Sequence, residues 1–178
     1  MSCEGCPLAG ETQVSYIHST ASNVLIVGES PGREELLAGK PFVGRSGQLL
    51  EKNLLQVGLS RESVSIGNAA KCLIPKDKLT LKEIRQVLSC CRHYLEEFIH
   101  SISPQMIVCL GDISLRQVTK LKGISKHRGS VYPTPEFNAI TLPTFHPAFI
   151  LRNNTMESLF RQDLMAIKTY VDNGFELL

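Results

Sequence analysis

The stretch that decides the fold is NVLIVGESPGREELLAGKPFVGRSGQLL, residues 23–50. Its apolar, largely β-branched start predicts a buried strand over Val24–Val27, which ends in a Gly/Pro turn that carries Glu29. Phe42 follows in a loop, and a helix is predicted to begin at Ser46. A carboxylate at the carboxyl end of a strand lies where open α/β sheets bind ligands, and a loop aromatic can stack on a flat base. The spacing also fits a surface loop with a half-buried phenylalanine, so both interpretations stay open here.

The rest of the chain alternates short apolar runs with amphipathic segments. The apolar runs predict strands at residues 23–29, 63–72, 105–111 and 138–147. The amphipathic segments predict helices at residues 46–57, 80 to about 99, 113–121 and 156–171. Thr80 and Glu83 match a capping box, and a short extended piece is predicted from Arg128 through Val131. This alternation predicts a doubly wound α/β sandwich, whose function lies at the carboxyl ends of the strands.

Length and composition narrow the class of protein. The 178 residues suit one domain, so we expect a single domain over residues 1–178. No apolar run approaches the ~20 residues that span a bilayer, and the segment MSCEGCPLAG lacks the pattern of a signal peptide. These features predict a cytoplasmic protein without a membrane segment. A net charge of +2 neither requires nor excludes nucleic acid as a partner.

The cysteines indicate metal binding or thiol chemistry, because a cytoplasmic chain rarely holds disulfides. Cys3 and Cys6 have the spacing of a chelating pair, which can bind one metal from a tight turn. Cys72 follows an apolar strand, and the next predicted helix carries Cys90 and Cys91. The pattern fits a site of four thiolates, with a redox or chance Cys-x-x-Cys pair as the alternative.

Residues with distinctive chemistry lie in or beside the carboxyl-terminal parts of three predicted strands. Glu29 follows the first strand, Asn68 lies in the second, and His146 lies at the end of the last. The asparagine amide can read the edge of a base, the histidine can donate to a developing oxyanion, and the carboxylate can stabilise positive charge. Each residue alone fits a structural role, such as a turn cap. Their placement at one edge of the sheet favours a shared site.

Four separated motifs resemble those of one known family. They are GESPG…GKPFVG (28–44), GNAAKC (67–72), IVCLG (107–111) and TFHPAFILR (144–152). Over residues from Cys3 to about Asp163, the chain resembles the iron–sulfur uracil-DNA glycosylases, called family 4. The resemblance implies the uracil-DNA glycosylase-like three-layer sandwich, a four-stranded parallel sheet flanked by helices. It also implies excision of uracil from single- or double-stranded DNA by hydrolysis of the N-glycosidic bond, which leaves an abasic site.

The resemblance further implies a [4Fe–4S] cluster. Its ligands would be Cys3, Cys6, Cys72 and one cysteine of the adjacent pair. Family members carry a Tyr-Leu-like pair shortly after the last ligand, and Cys91-Arg-His-Tyr-Leu fits that register. The resemblance therefore implies Cys91 as the ligand, with Cys90 as the spare.

The same resemblance implies roles for residues at the strand ends. Glu29 would support the cationic sugar or position the attacking water, and His146 would hydrogen-bond the departing uracil. Phe42 would stack on the base, Asn68 would read its edge, and the Ser30 backbone would add a contact. The implied DNA-binding residues are Phe149, Ile150 and Leu151, which would fill the gap left by the extruded base, and Arg152, which would meet a phosphate.

Some positions depart from the family pattern. Leu36 stands where an acidic residue is common, and the segment after Cys72 reads Leu-Ile-Pro rather than Arg-Pro-Pro. Phe149 is larger than usual after the His-Pro-Ala motif. A related branch attaches covalently to its abasic product through a histidine in a basic insertion. The corresponding loop, LIPKDKLTLKE, contains neither, so ordinary turnover is expected.

Two other functions are alternatives to the glycosylase. A catalytically weak or inactive member of the same fold would act as a DNA-binding or replication accessory protein. A nucleotide-binding or redox α/β protein is disfavoured, because the chain lacks a Gly-rich phosphate loop. The expected molecule is a monomer that acts on uracil-containing DNA, with replication or repair proteins as candidate partners.

Overall fold

A computed structural model describes residues 3–21 and 23–175 of the chain, which alternate strands and helices. The strands are β1 (Val24–Gly28), β2 (Ser65–Asn68), β3 (Met106–Leu110), β4 (Tyr132–Thr134) and β5 (Ala139–Thr144). The helices are α1 (Arg33–Ala38), α2 (Arg45–Gln56), α3 (Leu81–Ile102), α4 (Asp112–Thr119), α5 (Ile124–His127), α6 (Pro147–Arg152) and α7 (Glu157–Asp172). No helix in these two ranges is long and apolar enough to cross a bilayer.

The strands form one sheet in the order β2-β1-β3-β5-β4. The first four strands in this order are parallel, and β4 runs antiparallel to β5 at the edge. Ile26 in the centre of β1 lies beside Ile66 of β2 and Val108 of β3. The α/β class with a parallel sheet between helices is therefore confirmed, and the sheet has five strands where the sequence predicts four.

The extra strand lies beyond the extended piece predicted for residues 128–131. Gly129 has a φ of +73°, and the Ser130 amide donates to the His127 carbonyl at 3.3 Å, so this piece begins with a turn at residues 128–129. Pairing with β5 begins only at Tyr132. Pro133 is tolerated in β4 because an edge strand needs ladder hydrogen bonds on one side only.

The sheet is buried on both faces, which gives the molecule three layers. Side chains alternate along each strand, so Ile26 packs with α2 and α7 while Leu25 packs with α3 and α4. The first face contains Ile26, Val108, Leu142, Leu50, Leu54, Phe160 and Leu164. The second contains Leu25, Val27, Ile107, Cys109, Leu95, Ile99 and Leu115. The continuous apolar runs of the sequence are explained by this double burial.

The helix ends follow local signals in the sequence. The predicted capping box is confirmed at the start of α3, where the Thr80 amide donates to the Glu83 carboxylate at 2.8 Å. Ser103, with a φ of +44°, ends that helix in the left-handed conformation. The strand predicted over residues 63–72 is shorter and ends at Asn68, because the chain then turns across the end of β1. The Ala69 and Ala70 amides donate to the Gly28 and Glu29 carbonyls there, both at 2.9 Å.

Candidate active site

A cavity of about 480 Å³ opens at the carboxyl ends of β1, β2 and β5. Seven of the predicted residues line it, namely Glu29, Ser30, Phe42, Asn68, His146, Phe149 and Arg152. Open α/β sheets bind their ligands at this position. The strand-end residues that the sequence singles out therefore share one cavity.

Two residues of the predicted DNA wedge lie elsewhere. Ile150 is only 1% exposed and packs into the core beneath α6, so its side chain cannot reach DNA in this structure. Leu151 is 39% exposed on the outer side of the same helix. The helical period separates these neighbours, because consecutive residues point in different directions around a helix. The expectation that all three apolar residues form the wedge is wrong for Ile150.

Glu29 places a carboxylate at the end of β1, in the wall of the cavity. It follows β1 directly, and its backbone carbonyl is fixed by the Ala70 amide. Its carboxylate forms an ion pair with Lys76, with 2.5 Å between Nζ and Oε1. Sequence reasoning missed Lys76, although its position in the loop after β2 places it at the same edge of the sheet.

Asn68 presents an acceptor without a protein partner. Its Oδ1 atom is buried, and within the described residues no donor lies within hydrogen-bonding distance. A buried polar atom without a partner costs free energy, so a ligand donor is expected at this position. Gly28 permits the arrangement: a Cβ atom there would lie 2.4 Å from Asn68 Oδ1 and 2.4 Å from Phe42 Cζ.

Phe42 lies in the cavity wall and has an unusual backbone conformation. Its φ is +56°, a conformation that non-glycine residues rarely adopt. The Arg61 guanidinium donates to the carbonyls of Pro41 and Phe42, the latter at 2.7 Å. Gly47 makes room for this loop, because a Cβ atom there would lie 1.8 Å from the Phe42 carbonyl oxygen. The Phe42 ring lies 6.0 Å from the ring of His146, at a tilt of 32°.

Glu35 ties the two loops of the site together. This buried carboxylate accepts hydrogen bonds from the Gly32 amide at 3.0 Å, the Val43 amide at 3.0 Å and the Gly44 amide at 2.8 Å. The first amide belongs to the Glu29 loop and the other two follow Phe42. Charge-assisted hydrogen bonds of this kind are about twice as strong as neutral ones. Neither Glu35 nor Arg61 has a signal in the sequence, since both act through contacts that only the fold creates.

His146 caps α6 and presents one nitrogen to the cavity. Its Nδ1 atom accepts a hydrogen bond from the Ala148 amide at 3.1 Å, so the proton of the neutral ring lies on Nε2. Burial lowers the pKa of His146 to about 4; the Glu29 carboxylate opposes this shift, and the cations Lys76 and Arg152 add to it. The ring is therefore a neutral hydrogen-bond donor at physiological pH.

Five cysteines lie together next to the site. Cys6, Cys72 and Cys91 are buried in one apolar cluster, and Cys3 and Cys90 pack against it. We call these five residues the thiol cluster. Burial and three neighbouring thiols raise the pKa of Cys72 to about 11. Burial also raises the pKa of Cys91, which the hydrogen bond from the Lys71 amide partly opposes.

The thiol cluster contains enough donors for a metal centre. All five thiols are free, and in the described ranges no three His, Cys, Asp or Glu side chains are arranged to hold a single ion. A polynuclear iron–sulfur centre spreads its thiolates more widely than a single ion does. Gln13 Nε2 lies 3.5 Å from Cys3 Sγ and supplies a hydrogen bond of the kind that supports cluster thiolates. The five thiols of the cluster are enough to supply the four thiolates that such a centre takes.

Comparison with known proteins agrees with this geometry. A model of the uracil DNA glycosylase superfamily matches residues 15–168. A type-4 uracil-DNA glycosylase of Thermotoga maritima is 34% identical over 175 residues, which cover 95% of this chain and 89% of that protein. A type-4 enzyme of Archaeoglobus fulgidus is 33% identical, with 94% and 87% covered, and one of Saccharolobus solfataricus is 33% identical, with 84% and 72% covered. The resemblance seen in the sequence motifs is thus confirmed over nearly the whole chain, which belongs to the type-4 branch of the uracil-DNA glycosylase superfamily.

Proposed function

We propose that the protein excises uracil from DNA by hydrolysing the N-glycosidic bond, which leaves an abasic site. The observation that carries this proposal is the cavity, which combines an unpartnered amide oxygen, a neutral imidazole donor and a carboxylate. The names of the type-4 relatives support uracil in DNA as the substrate. We further propose that residues 1–178 form a single domain and that the protein acts as a cytoplasmic monomer, with other repair or replication proteins as transient partners.

Uracil would be recognised by the polarity of its Watson–Crick edge. The imide N3–H of uracil is a donor, and it would satisfy the buried Oδ1 acceptor of Asn68. The amide NH₂ group of Asn68 would donate to O4 of the base. Cytosine reverses both polarities at these two positions, so it would leave the amide of Asn68 unsatisfied. Phe42 would stack on the flipped base, a contact worth about 1–3 kcal/mol, and the Ser30 backbone would add a polar contact.

Bond cleavage would rely on two groups that stabilise opposite charges. The departing uracil carries negative charge on O2, to which Nε2–H of His146 would donate. A donor placed at such an oxyanion typically contributes about 10²–10³ in rate. Glu29 would stabilise the oxocarbenium-like sugar or orient the attacking water. His146 would act as a hydrogen-bond donor rather than an acid, because its lowered pKa of about 4 keeps the ring neutral.

DNA would be held by residues at the rim of the cavity. Phe149 lines the cavity and Leu151 is exposed on the outer side of α6, and both would fill the gap left by the extruded base. Arg152, at the end of the same helix, would contact a phosphate. Because the loop after β2 contains no histidine, we expect the abasic product to be released without a covalent adduct.

We propose that Cys3, Cys6, Cys72 and Cys91 bind a [4Fe–4S] cluster. Iron would supply the positive charge that the buried thiolates need, since burial otherwise keeps Cys72 and Cys91 protonated. Cys91 is preferred to Cys90 because it is 4% exposed and accepts the Lys71 amide hydrogen bond. When bound, the cluster supplies a covalent tie between the N-terminal segment, the segment after β2 and α3.

The proposed function is tested with a uracil-containing oligonucleotide whose abasic products are cleaved by alkali. We expect wild-type protein, isolated with its iron, to cleave the uracil strand and to leave a matched cytosine strand intact. His146→Ala and Asn68→Ala should each slow excision by about 10²–10³, and Glu29→Ala should slow it comparably. Lys82→Ala changes an exposed residue at the start of α3 and serves as the control. Absence of cleavage by the iron-loaded wild type on both single and double strands would contradict the proposal.

A further inference from the structure

Lys76 is a cation that lines the cavity and has no role in the proposed excision of uracil. Its ammonium group pairs with the carboxylate of Glu29 at 2.5 Å, while 61% of the Lys76 side chain is exposed, against 23% for Glu29. Its backbone lies in a turn that is closed by the Lys78 and Leu79 amides, which donate to the Pro75 carbonyl at 2.9 and 3.1 Å. A fixed backbone therefore carries a long side chain that reaches Glu29 and is open to solvent.

The charge at Glu29 creates a difficulty for DNA binding that Lys76 can relieve. A carboxylate that acts on C1′ of a nucleotide also lies close to the phosphates on either side of that nucleotide. Like charges at such distances repel strongly where water is excluded. A cation that contacts the carboxylate and remains accessible to the DNA strand removes this repulsion. Lys76 has both properties in the structure.

We propose that Lys76 binds a phosphate of the lesion strand and bridges it to the carboxylate of Glu29. This inference rests on the proposed excision of uracil, since it places the extruded nucleotide in the cavity. Lys76 thereby becomes a DNA-binding and positioning residue of the site. A flexible ammonium group is suited to this role, because it offers three donors and can contact both anions at once.

The experiment measures affinity for a duplex that contains a tetrahydrofuran abasic analogue, as a function of salt concentration. This probe cannot be cleaved, so the result does not depend on whether the protein excises uracil. We expect Lys76→Met to weaken binding about tenfold at low salt and to lower the slope of log Kd against log salt by about one, as loss of one phosphate contact does. Lys76→Arg should retain most of the affinity. Lys78→Met, an exposed lysine of the same turn outside the cavity, should leave the slope unchanged.

The same substitution is also made in the Glu29→Gln variant, which distinguishes phosphate binding by Lys76 from simple pairing with Glu29. In Glu29→Gln the ion pair is absent, yet a phosphate contact of Lys76 persists. We therefore expect Lys76→Met to reduce the salt slope by the same amount in Glu29→Gln as in the wild type. An unchanged slope in either background, or a slope change as large for Lys78→Met, would overturn the proposal. Uracil excision, measured in parallel on a cleavable strand, tests the proposed function separately.

Discussion

At the scale of single residues, His146 shows how the backbone determines side-chain chemistry. The Ala148 amide occupies Nδ1 and thereby fixes the tautomer, so the proton lies on the nitrogen available to a ligand. Burial then removes the charged form by lowering the pKa from 6.5 to about 4. A neutral donor can stabilise a leaving anion without transferring its proton, and its state does not change over the physiological pH range.

This state of His146 predicts a pH profile without a histidine step. Single-turnover excision should show no inflection near pH 6.5, because the ring is already neutral well below that value. The measurement is a pH–rate series over about pH 5.5–8 for wild type and His146→Gln. A step near pH 6.5 that the glutamine variant lacks would show that the imidazolium takes part and would refute the neutral-donor role.

The same pKa predicts the pH dependence of stability. The unfolded ring regains its ordinary pKa of 6.5, whereas the folded value is about 4, so between these values the unfolded chain binds more protons. The free energy of unfolding should therefore decrease as pH falls from about 6.5 to 4 and be fully present above this range. Urea titrations of wild type and His146→Gln measure the difference. The glutamine variant should lose less stability over that interval.

At the scale of elements, the loop that precedes α2 is held by two side chains from outside the loop, Glu35 and Arg61. Phe42 has a positive φ, and Arg61 and Glu35 bond to the peptides around it. Strained backbone of this kind costs about 1–3 kcal/mol and persists where the surroundings over-determine it. The residue proposed to stack on the base is thus positioned before the base arrives, which lowers the entropy lost on binding.

Glu35→Gln should loosen this loop. The amide group presents donors to backbone donors, so at least one of the three amide hydrogen bonds is lost. We expect a loss of about 2 kcal/mol, a Tm decrease of about 4–8 °C, and a fall in kcat/KM of about tenfold. Thermal unfolding and steady-state excision measure these effects. Glu97→Gln, an exposed position on α3, is the control, and an equal effect of both substitutions would contradict this role of Glu35.

At the scale of the whole molecule, the sequence predicts the parts that depend on local pattern. The parallel strands follow from apolar runs, and α3 follows from its capping box. Strand β4 is too short to have a pattern and contains Pro133, so pairing with β5 alone creates it. Lys76 and Glu35 belong to the site through contacts that form only when the chain folds. The burial of Ile150 follows from the packing of α6 against the core. These features depend on tertiary structure, which no window of sequence contains.

The proposed iron–sulfur cluster would join segments from distant parts of the chain, and its ligand set can be tested by mutation. Cys91→Ala should lose most of its iron and show a lower Tm, whereas Cys90→Ala should keep its iron, because Cys90 is more exposed and stands outside the implied ligand set. Iron is quantified by a colorimetric chelator assay and by the visible absorbance of the purified protein. Full iron loading in Cys91→Ala would contradict the assignment and would point to Cys90 instead.

The short segment from Asn68 to Cys72 has a consequence for engineering. It carries at one end the amide proposed to recognise the base and at the other a member of the thiol cluster, and the Ala69 and Ala70 amides within it donate to the Gly28 and Glu29 carbonyls. The proposed base recognition and the proposed metal centre therefore depend on one continuous segment of the chain. A chimaera that grafts a new recognition segment onto this scaffold must carry residues 68–72 as one piece. A foreign loop without Cys72 would lack its attachment to the thiol cluster.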